Sequence, residues 1–387
     1  MEAYLDNAAT TKPFAEVVEI MKETLEGSYG NPSSLHQKGV QAEQYIRYAK
    51  EQIAKNLKCE EKEIVFTSGG TESNNQALIG TALANKRKGN HIITTSVEHA
   101  SVYEPLLFLE QQGFRISYIP VDQNGLVDVN RLLEEICEET ILVSVMYANN
   151  EIGAVEDIAT IGAKIKEKKK DILFHVDAIQ GFGKFKIVPK KLHIDLMSVS
   201  GHKIHGPKGI GFLYIKDKTK INPYIYGGGQ QKGMRSGTEN VPGIAGLGKA
   251  VELIYQNHIE KMNALYELKS YFVQRLQEIE GVTVNGITGL EVKDTVPHVV
   301  SVTVDGVRSE VLLHALEEKE IYVSSGSACS SNHPALSGTL QAIGLNKKAI
   351  ESTIRFSFSV FTTKEELDTA IAALQELLPV LRKYVRK

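Results

Sequence analysis

Cysteine is scarce in this chain, and long apolar stretches are missing. Only three cysteines occur among 387 residues, Cys59, Cys137 and Cys329, far apart and without a CxxC pair. That spacing argues against a disulfide framework and against a zinc site, so no metal is expected. No run of about 18 uncharged apolar residues appears, and the opening MEAYLDNAATTKPF has neither a basic region nor an apolar core. Neither a membrane span nor a leader is expected, and the location expected is cytoplasmic. Charge of one sign is lacking too, since 44 Lys and Arg face 47 Asp and Glu for a formal net charge of -3. Direct nucleic-acid binding is therefore not expected. Repeats and low-complexity segments are absent. What remains is an ordinary globular composition, 42% hydrophobic and 24% charged. The length exceeds the roughly 250 to 300 residues at which one core stops growing, so two domains are expected.

Within residues 39 to 57, Ala42, Ile46, Ala49, Ile53 and Leu57 form one apolar stripe at helical spacing. Seven short β-branched runs follow, EIVFT, HIITTS, RISYIPV, ILVSVMYA, ILFHVD, DLMSVS and GIGFLYI, mostly separated by helical stretches. Strands alternating with helices predict an α/β domain with a largely parallel sheet covered on both faces. Such sheets bind ligands at the carboxyl ends of their strands, and SGGTES, VEHAS, NNE, DAIQ and SGHK each come directly after one of these runs. From about residue 250 a long helical segment leads into a mixed pattern, the mark of a smaller α+β domain.

The chemistry-bearing residues sit at those strand ends. TSGGTESNNQAL is a glycine turn between a strand and a helix. Its free N–H groups and the Thr71 hydroxyl would hold a phosphate, or would simply cap the helix. HVDAIQ ends a buried strand with Asp177, followed by Gln180. SVSGHKIHGPKGIG ends another with Ser200, His202 and Lys203. A lysine at the mouth of a sheet beside a carboxylate suits a Schiff base to pyridoxal phosphate, because the acid keeps the pyridine nitrogen protonated. The plainer alternative is an ion pair. His99 either stacks on a cofactor and moves protons or is structural. In VSSGSACSSN, Cys329 lies among residues too small to pack around it, which reads as a solvated loop with either a working thiol or an incidental one. Cys59 and Cys137, in charged helical surroundings, read as incidental.

Taken together, YLDNAATT, YGNPSSLH, TSGGTESNN, VEHASV, NNEIG, HVDAIQ, SGHKIHGPKGIG, GGGQQKGMRSGTENVPGI, SSGSACSS and IRFSF occur in this order from residue 4 to about 358. This series resembles the NifS/IscS-type cysteine desulfurases. The resemblance implies a fold-type I pyridoxal phosphate enzyme that takes sulfur from L-cysteine, releases L-alanine and leaves a persulfide on its own cysteine. Carried over by position, Lys203 resembles the Schiff-base lysine, Asp177 the partner of the pyridine nitrogen and His99 the ring-stacking acid/base. Asn150 and Gln180 resemble the contacts to the ring oxygen. Gly70, Thr71, Ser200 and His202 resemble the phosphate site, with Thr238 supplied by a neighbouring subunit. The resemblance thus implies a homodimer. Arg355 matches the clamp for the substrate carboxylate, assisted by Asn31 and Asn150, and Cys329 matches the nucleophile.

The expected domains are 15–258, holding the cofactor, and 1–14 plus 259–387, carrying the Cys329 loop. Two features depart from the resemblance: Ser359 and Val360 stand where many members have Gly-Arg, and the chain stops at LLPVLRKYVRK without a longer tail. The expected partner is a sulfur-acceptor protein, with tRNA thiolation as plausible a destination as an iron-sulfur scaffold. The alternatives are a selenocysteine lyase, another enzyme of the same superfamily, or a non-catalytic protein that keeps the fold.

Overall fold

The computed structural model describes residues 1–287, 295–325 and 336–384. A two-residue strand, β1 (Ala3–Tyr4), comes first. The large sheet then takes in β2 (Ile64–Thr67), β3 (His91–Thr95), β4 (Arg115–Ile119), β5 (Thr140–Met146), β6 (Leu173–Asp177), β7 (Leu196–Ser200) and β8 (Gly211–Ile215). Their order across the sheet is β2-β8-β7-β6-β5-β3-β4. These are the seven apolar runs of the sequence. β2, β3, β5, β7 and β8 are buried along their whole length, as strands covered on both faces must be, while β4 at the edge is not.

The ladder is parallel from β4 through β3, β5 and β6 to β7. β8 runs against both β7 and β2. The reason is the link from β7 to β8, which spans only residues 201 to 210. A parallel return needs a crossover of about a dozen residues or more, so a short link turns the chain back antiparallel. Lys203 lies in that link, on a short 3₁₀ turn at the carboxyl end of β7.

The predicted stripe helix forms as Gln37–Leu57, with Ala42, Ala49, Ile53 and Leu57 buried. The His36 side chain caps it by accepting from the Gly39 N–H. Helix Val241–Tyr255 lies close against it: a Cβ on Gly248 would stand 2.7 Å from Ala49 Cα. The long helical segment expected after residue 250 is broken. One helix ends at Tyr255 and the next, His258–Gln277, begins after Asn257, whose φ of 51° is left-handed and stops helix propagation.

Beyond it, β9 (Val282–Val284), β10 (Val299–Val304), β12 (Ser324–Ser325) and β13 (Thr353–Ser357) form an antiparallel sheet in the order β12-β13-β10-β9. β1 pairs in parallel with β11 (Ile321–Tyr322) as a separate two-stranded sheet, and the next residues reach the four-stranded sheet through a bridge between Asp6 and Ser357 of β13. The core of that sheet gathers Phe272, Val300, Val302, Phe356, Phe358 and Leu374. The chain is thus an α/β unit built on a largely parallel sheet, followed by a smaller α+β unit. Ser324 and Ser325 belong to a strand paired with Arg355 and Ile354, although the serine-rich stretch reads as a loop. No helix among the described residues is long and apolar enough to cross a membrane.

Candidate active site

The residues that follow β2, β3, β5, β6 and β7 meet in a cavity of about 320 Å³. After β2 the chain passes through Gly69, whose φ of 152° favours glycine, and enters a helix at Gly70. A Cβ at Gly70 would stand 2.2 Å from Ile179 Cδ1, so a larger residue there would force the Ile179 side chain to shift. Thr71, Ser200 and His202 line the cavity beside this turn. His202 Nδ1 lies 3.2 Å from Thr10 Oγ1. Burial, with Lys203 and Lys208 nearby, pushes its pKa down to about 4, so the ring is neutral near pH 7.

Lys203 Nζ donates to the carbonyls of Ala8 at 2.5 Å and Ala9 at 2.7 Å. Asp177, at the end of β6, is buried. Its Oδ1 accepts from the Ile179 N–H at 3.0 Å and its Oδ2 from Asn74 Nδ2 at 2.8 Å. Asn74 Nδ2 also donates to Ser101 Oγ at 2.9 Å, which stands 2.8 Å from His99 Nδ1. A polar chain thus runs from Asp177 to His99. Burial raises the Asp177 pKa against the pull of the Ile179 N–H, His99, Asn74 and Lys203. Burial lowers that of His99, opposed by Asp177 and helped by Lys203. Because the Ser101 N–H donates to His99 Nδ1 at 3.1 Å, the neutral ring carries its proton on Nε2.

Across the cavity, Arg355 on β13 donates from Nη1 to the Asn150 carbonyl at 2.9 Å and from Nη2 to Asp6 Oδ1 at 2.8 Å. Gln180 Nε2 donates to the Ala8 carbonyl at 3.0 Å. Its Oε1 lies 3.0 Å from Nε2 of His298, a fully enclosed imidazole held well below its usual pKa by burial.

The aminotransferase class-V family model matches residues 3–369. A cysteine desulfurase IscS of Dictyoglomus turgidum is 44% identical over 382 residues, covering 98% of this chain and 95% of that protein. The chain belongs to the NifS/IscS-type cysteine desulfurases of the class-V aminotransferase family. Among solved structures, a NifS-like protein superposes with a TM-score of 0.92 at 36% identity, covering 98% of this chain and all 100% of that one. SspA in complex with cysteine superposes with a TM-score of 0.78 at 35% identity, covering 93% of this chain and 100% of that one. The cysteine desulfurase family is one of pyridoxal phosphate enzymes of fold type I.

Of the residues this desulfurase resemblance selects, Gly70, Thr71, His99, Asn150, Asp177, Gln180, Ser200, His202, Lys203 and Arg355 all line the one cavity. Thr238 is exposed and does not line the cavity of its own chain. The structure does not bring Asn31 there either: it is exposed, and its Oδ1 accepts from the Ser33 N–H at 2.9 Å. Cys329 lies outside the described residues. The sequence analysis missed Asp6, Asn74, Ser101, His298 and the carbonyls of Ala8 and Ala9. The available signals were YLDNAATT for Asp6, Ala8 and Ala9, TSGGTESNN for Asn74 and VEHASV for Ser101, each quoted as a family marker without a role for these residues, while His298 lies in none of the quoted motifs.

Cys137 lies outside the helix expected around it, in the loop that precedes β5. Burial raises its thiol pKa, but the Thr140 hydroxyl, the Glu139 N–H and Arg115, whose Nη2 is 3.1 Å from the sulfur, outweigh that and lower it. Burial pushes Cys59 the other way, up to about 12.

Glu98 precedes His99 in this desulfurase fold and is the least comfortable acid beside the site. Its Oε1 accepts from Thr95 Oγ1 at 2.7 Å and the Met146 N–H at 2.8 Å, whereas its enclosed Oε2 has no partner among the described residues. Burial pushes its pKa up to about 8 from 4.5. The folded chain therefore keeps a proton that the unfolded chain releases, and stability is lost as pH rises from about 4.5 through about 8. Glu98→Gln is expected to change stability little at pH 5 and to raise it at pH 9 by a few kcal/mol, at about 1.4 kcal/mol per pKa unit. Denaturant titrations at the two pH values check this. An equal effect at both would contradict it.

Proposed function

We propose that this cavity holds pyridoxal phosphate and that the enzyme converts L-cysteine to L-alanine, placing the sulfur on Cys329 as a persulfide for an acceptor protein. The observation that carries this reading is the convergence, in one cavity, of Lys203, the buried acid Asp177 and the Gly70 turn, with Arg355 opposite. The residues fit the group. Gly70, Thr71, Ser200 and His202 offer a turn without a side chain and polar donors for the phosphate. Asp177, whose ionised form is disfavoured by burial, would be stabilised as the carboxylate by a protonated ring nitrogen. When bound, pyridoxal phosphate supplies a carbonyl that condenses with amines and a ring that withdraws electrons from the attached carbon.

The chain's own residues do the rest. Lys203 would anchor the cofactor through its amine, and the same amine would move the Cα proton of the substrate. His99, half-buried and tied through Ser101 and Asn74 to Asp177, keeps a proton on Nε2. Arg355 takes the substrate carboxylate, a task suited to its planar fork. The Cys329 thiolate attacks the substrate sulfur, so that an S–S bond forms as the C–S bond breaks and the carbon skeleton, once reprotonated, leaves as alanine. Protein loaded with pyridoxal phosphate and given L-cysteine is expected to yield alanine and transferable sulfur in equal amounts. A keto acid formed without sulfur release would refute desulfuration and favour amino-group transfer.

A second copy of this chain completes the site in our reading, and supplies Thr238. What supports it is an apolar groove beside the cavity, lined by Thr71, His99, Leu83, Phe108, Tyr224 and Tyr226. Leu83 is 46% exposed, Phe108 44%, Tyr224 46% and Tyr226 76%, a contiguous apolar patch of the kind a partner covers. Phe108→Glu combined with Leu83→Glu is expected to convert dimer to monomer by light scattering and to speed cofactor loss on dialysis. A dimer unchanged by both substitutions would move the interface elsewhere.

A further inference from the structure

The guanidinium assigned to the substrate carboxylate already holds a carboxylate. Arg355 is 7% exposed, and two of its three nitrogens are engaged: Nη1 by the Asn150 carbonyl at 2.9 Å, Nη2 by Asp6 Oδ1 at 2.8 Å. Its Nε is enclosed and has no acceptor among the described residues. Asp6 is either a competitor that must step aside or a brace.

The backbone around it favours the brace. Asp6 forms a bridge with Ser357, two residues beyond Arg355 on the same strand, β13. Asn7 Nδ2 then donates to the Ser357 carbonyl at 3.0 Å, and the Ala8 N–H donates to Ser357 Oγ at 2.8 Å. The next two carbonyls, of Ala8 and Ala9, receive Lys203 Nζ. Residues 6 to 9 therefore stitch β13 to the lysine, which leaves Asp6 little freedom to withdraw. A guanidinium has five donors in a rigid fork, so Nη1 and Nη2, each engaged through one N–H, still have a second N–H for a ligand, while Nε stays enclosed. An enclosed guanidinium without an anion would be costly, and would bend toward whatever acceptor it found.

We infer that Asp6 is a positioning residue that fixes the plane of Arg355, so that its remaining donors meet a substrate carboxylate. This rests on the reading of Arg355 as the carboxylate clamp. Asp6 touches Arg355 and acts through it.

The test uses the enzyme loaded with pyridoxal phosphate and follows perturbation of the cofactor absorbance by L-alanine and by ethylamine, its counterpart without the carboxylate. Asp6→Asn is expected to weaken L-alanine binding about tenfold or more, the scale of a lost charge-assisted hydrogen bond. It should raise the KM for L-cysteine by a similar factor, with kcat changed less than about threefold, and leave ethylamine binding and the resting absorbance unaltered. Asp6→Glu, which keeps the charge, is expected to lose less, and serves as the deciding variant should Asp6→Asn fail to retain cofactor. Equal weakening of L-alanine and ethylamine would mean a merely structural role and overturn the proposal. Tighter or unchanged L-alanine binding in Asp6→Asn, with binding weakened in Arg355→Lys, would overturn it while leaving the clamp intact. No effect in Arg355→Lys would remove the clamp itself, and the proposal with it.

Discussion

Lys203→Ala abolishes the absorbance of bound pyridoxal phosphate and lowers alanine formation from L-cysteine by roughly 10³-fold to 10⁴-fold, the upper range for a lost proton-transfer group. The expectation rests on position. Lys203 lies in the short link that reverses the chain between β7 and β8, and its Nζ reaches the Ala8 and Ala9 carbonyls inside the cavity. A side chain on so short a turn, with neighbours Ser200 and His202 also lining the cavity, has no substitute within the same strand end. Lys184, buried nearby, donates to the Lys203 carbonyl at 3.1 Å and so braces the turn. Lys203→Arg keeps the charge but cannot condense with an aldehyde, and should lose the absorbance as fully as Lys203→Ala. An arginine variant that retains the band would show that the cofactor is held without this lysine.

Cys329→Ser has the second large effect and the opposite spectroscopic outcome. The variant keeps the absorbance of bound cofactor, because none of the described residues that line the cavity is altered, and loses persulfide entirely. Alanine formation falls by about 10³-fold or more, the scale on which removal of a nucleophile acts. A serine hydroxyl is a weak nucleophile at neutral pH, whereas a thiol of pKa about 8.5 supplies a few per cent thiolate unaided. Ser324 lines the cavity, and Ser337 Oγ donates to Glu151 Oε2 at 2.5 Å, next to Asn150. Four residues lie between Ser324 and Cys329 in the sequence, and five residue steps span at most roughly 17 Å. Of the other two cysteines, Cys59 has its thiol pKa pushed up to about 12 by burial, which disfavours the thiolate. Cys137 has a lowered pKa but sits at the amino end of β5, away from the strand ends that build the cavity. Residual persulfide in Cys329→Ser that maps to Cys137 would show a second acceptor thiol.

The large sheet was legible because its strands announce themselves: short β-branched runs with polar clusters immediately after them, separated by helices. The same punctuation located His99, Asp177, Ser200 and Lys203. What stayed hidden depends on contacts between distant parts of the chain. Asp6 and Arg355 are 349 residues apart, and Gln180 and His298 are 118 apart, separations to which no local pattern responds. The antiparallel course of β8 follows from a link too short for a crossover, readable in principle from the ten residues involved. The short strand Ser324–Ser325 inside a serine-rich stretch is a tertiary override: pairing with β13 orders a segment whose composition reads as loop.

The central claim is that sulfur leaves L-cysteine for Cys329, and one measurement addresses it directly. The enzyme loaded with pyridoxal phosphate is mixed with a single equivalent of L-cysteine, quenched with a thiol-alkylating agent and digested, and alanine is quantified beside the mass of the Cys329 peptide. One alanine is expected for each Cys329 peptide that has gained one sulfur atom. Alanine formed in full with an unmodified Cys329 peptide would contradict it.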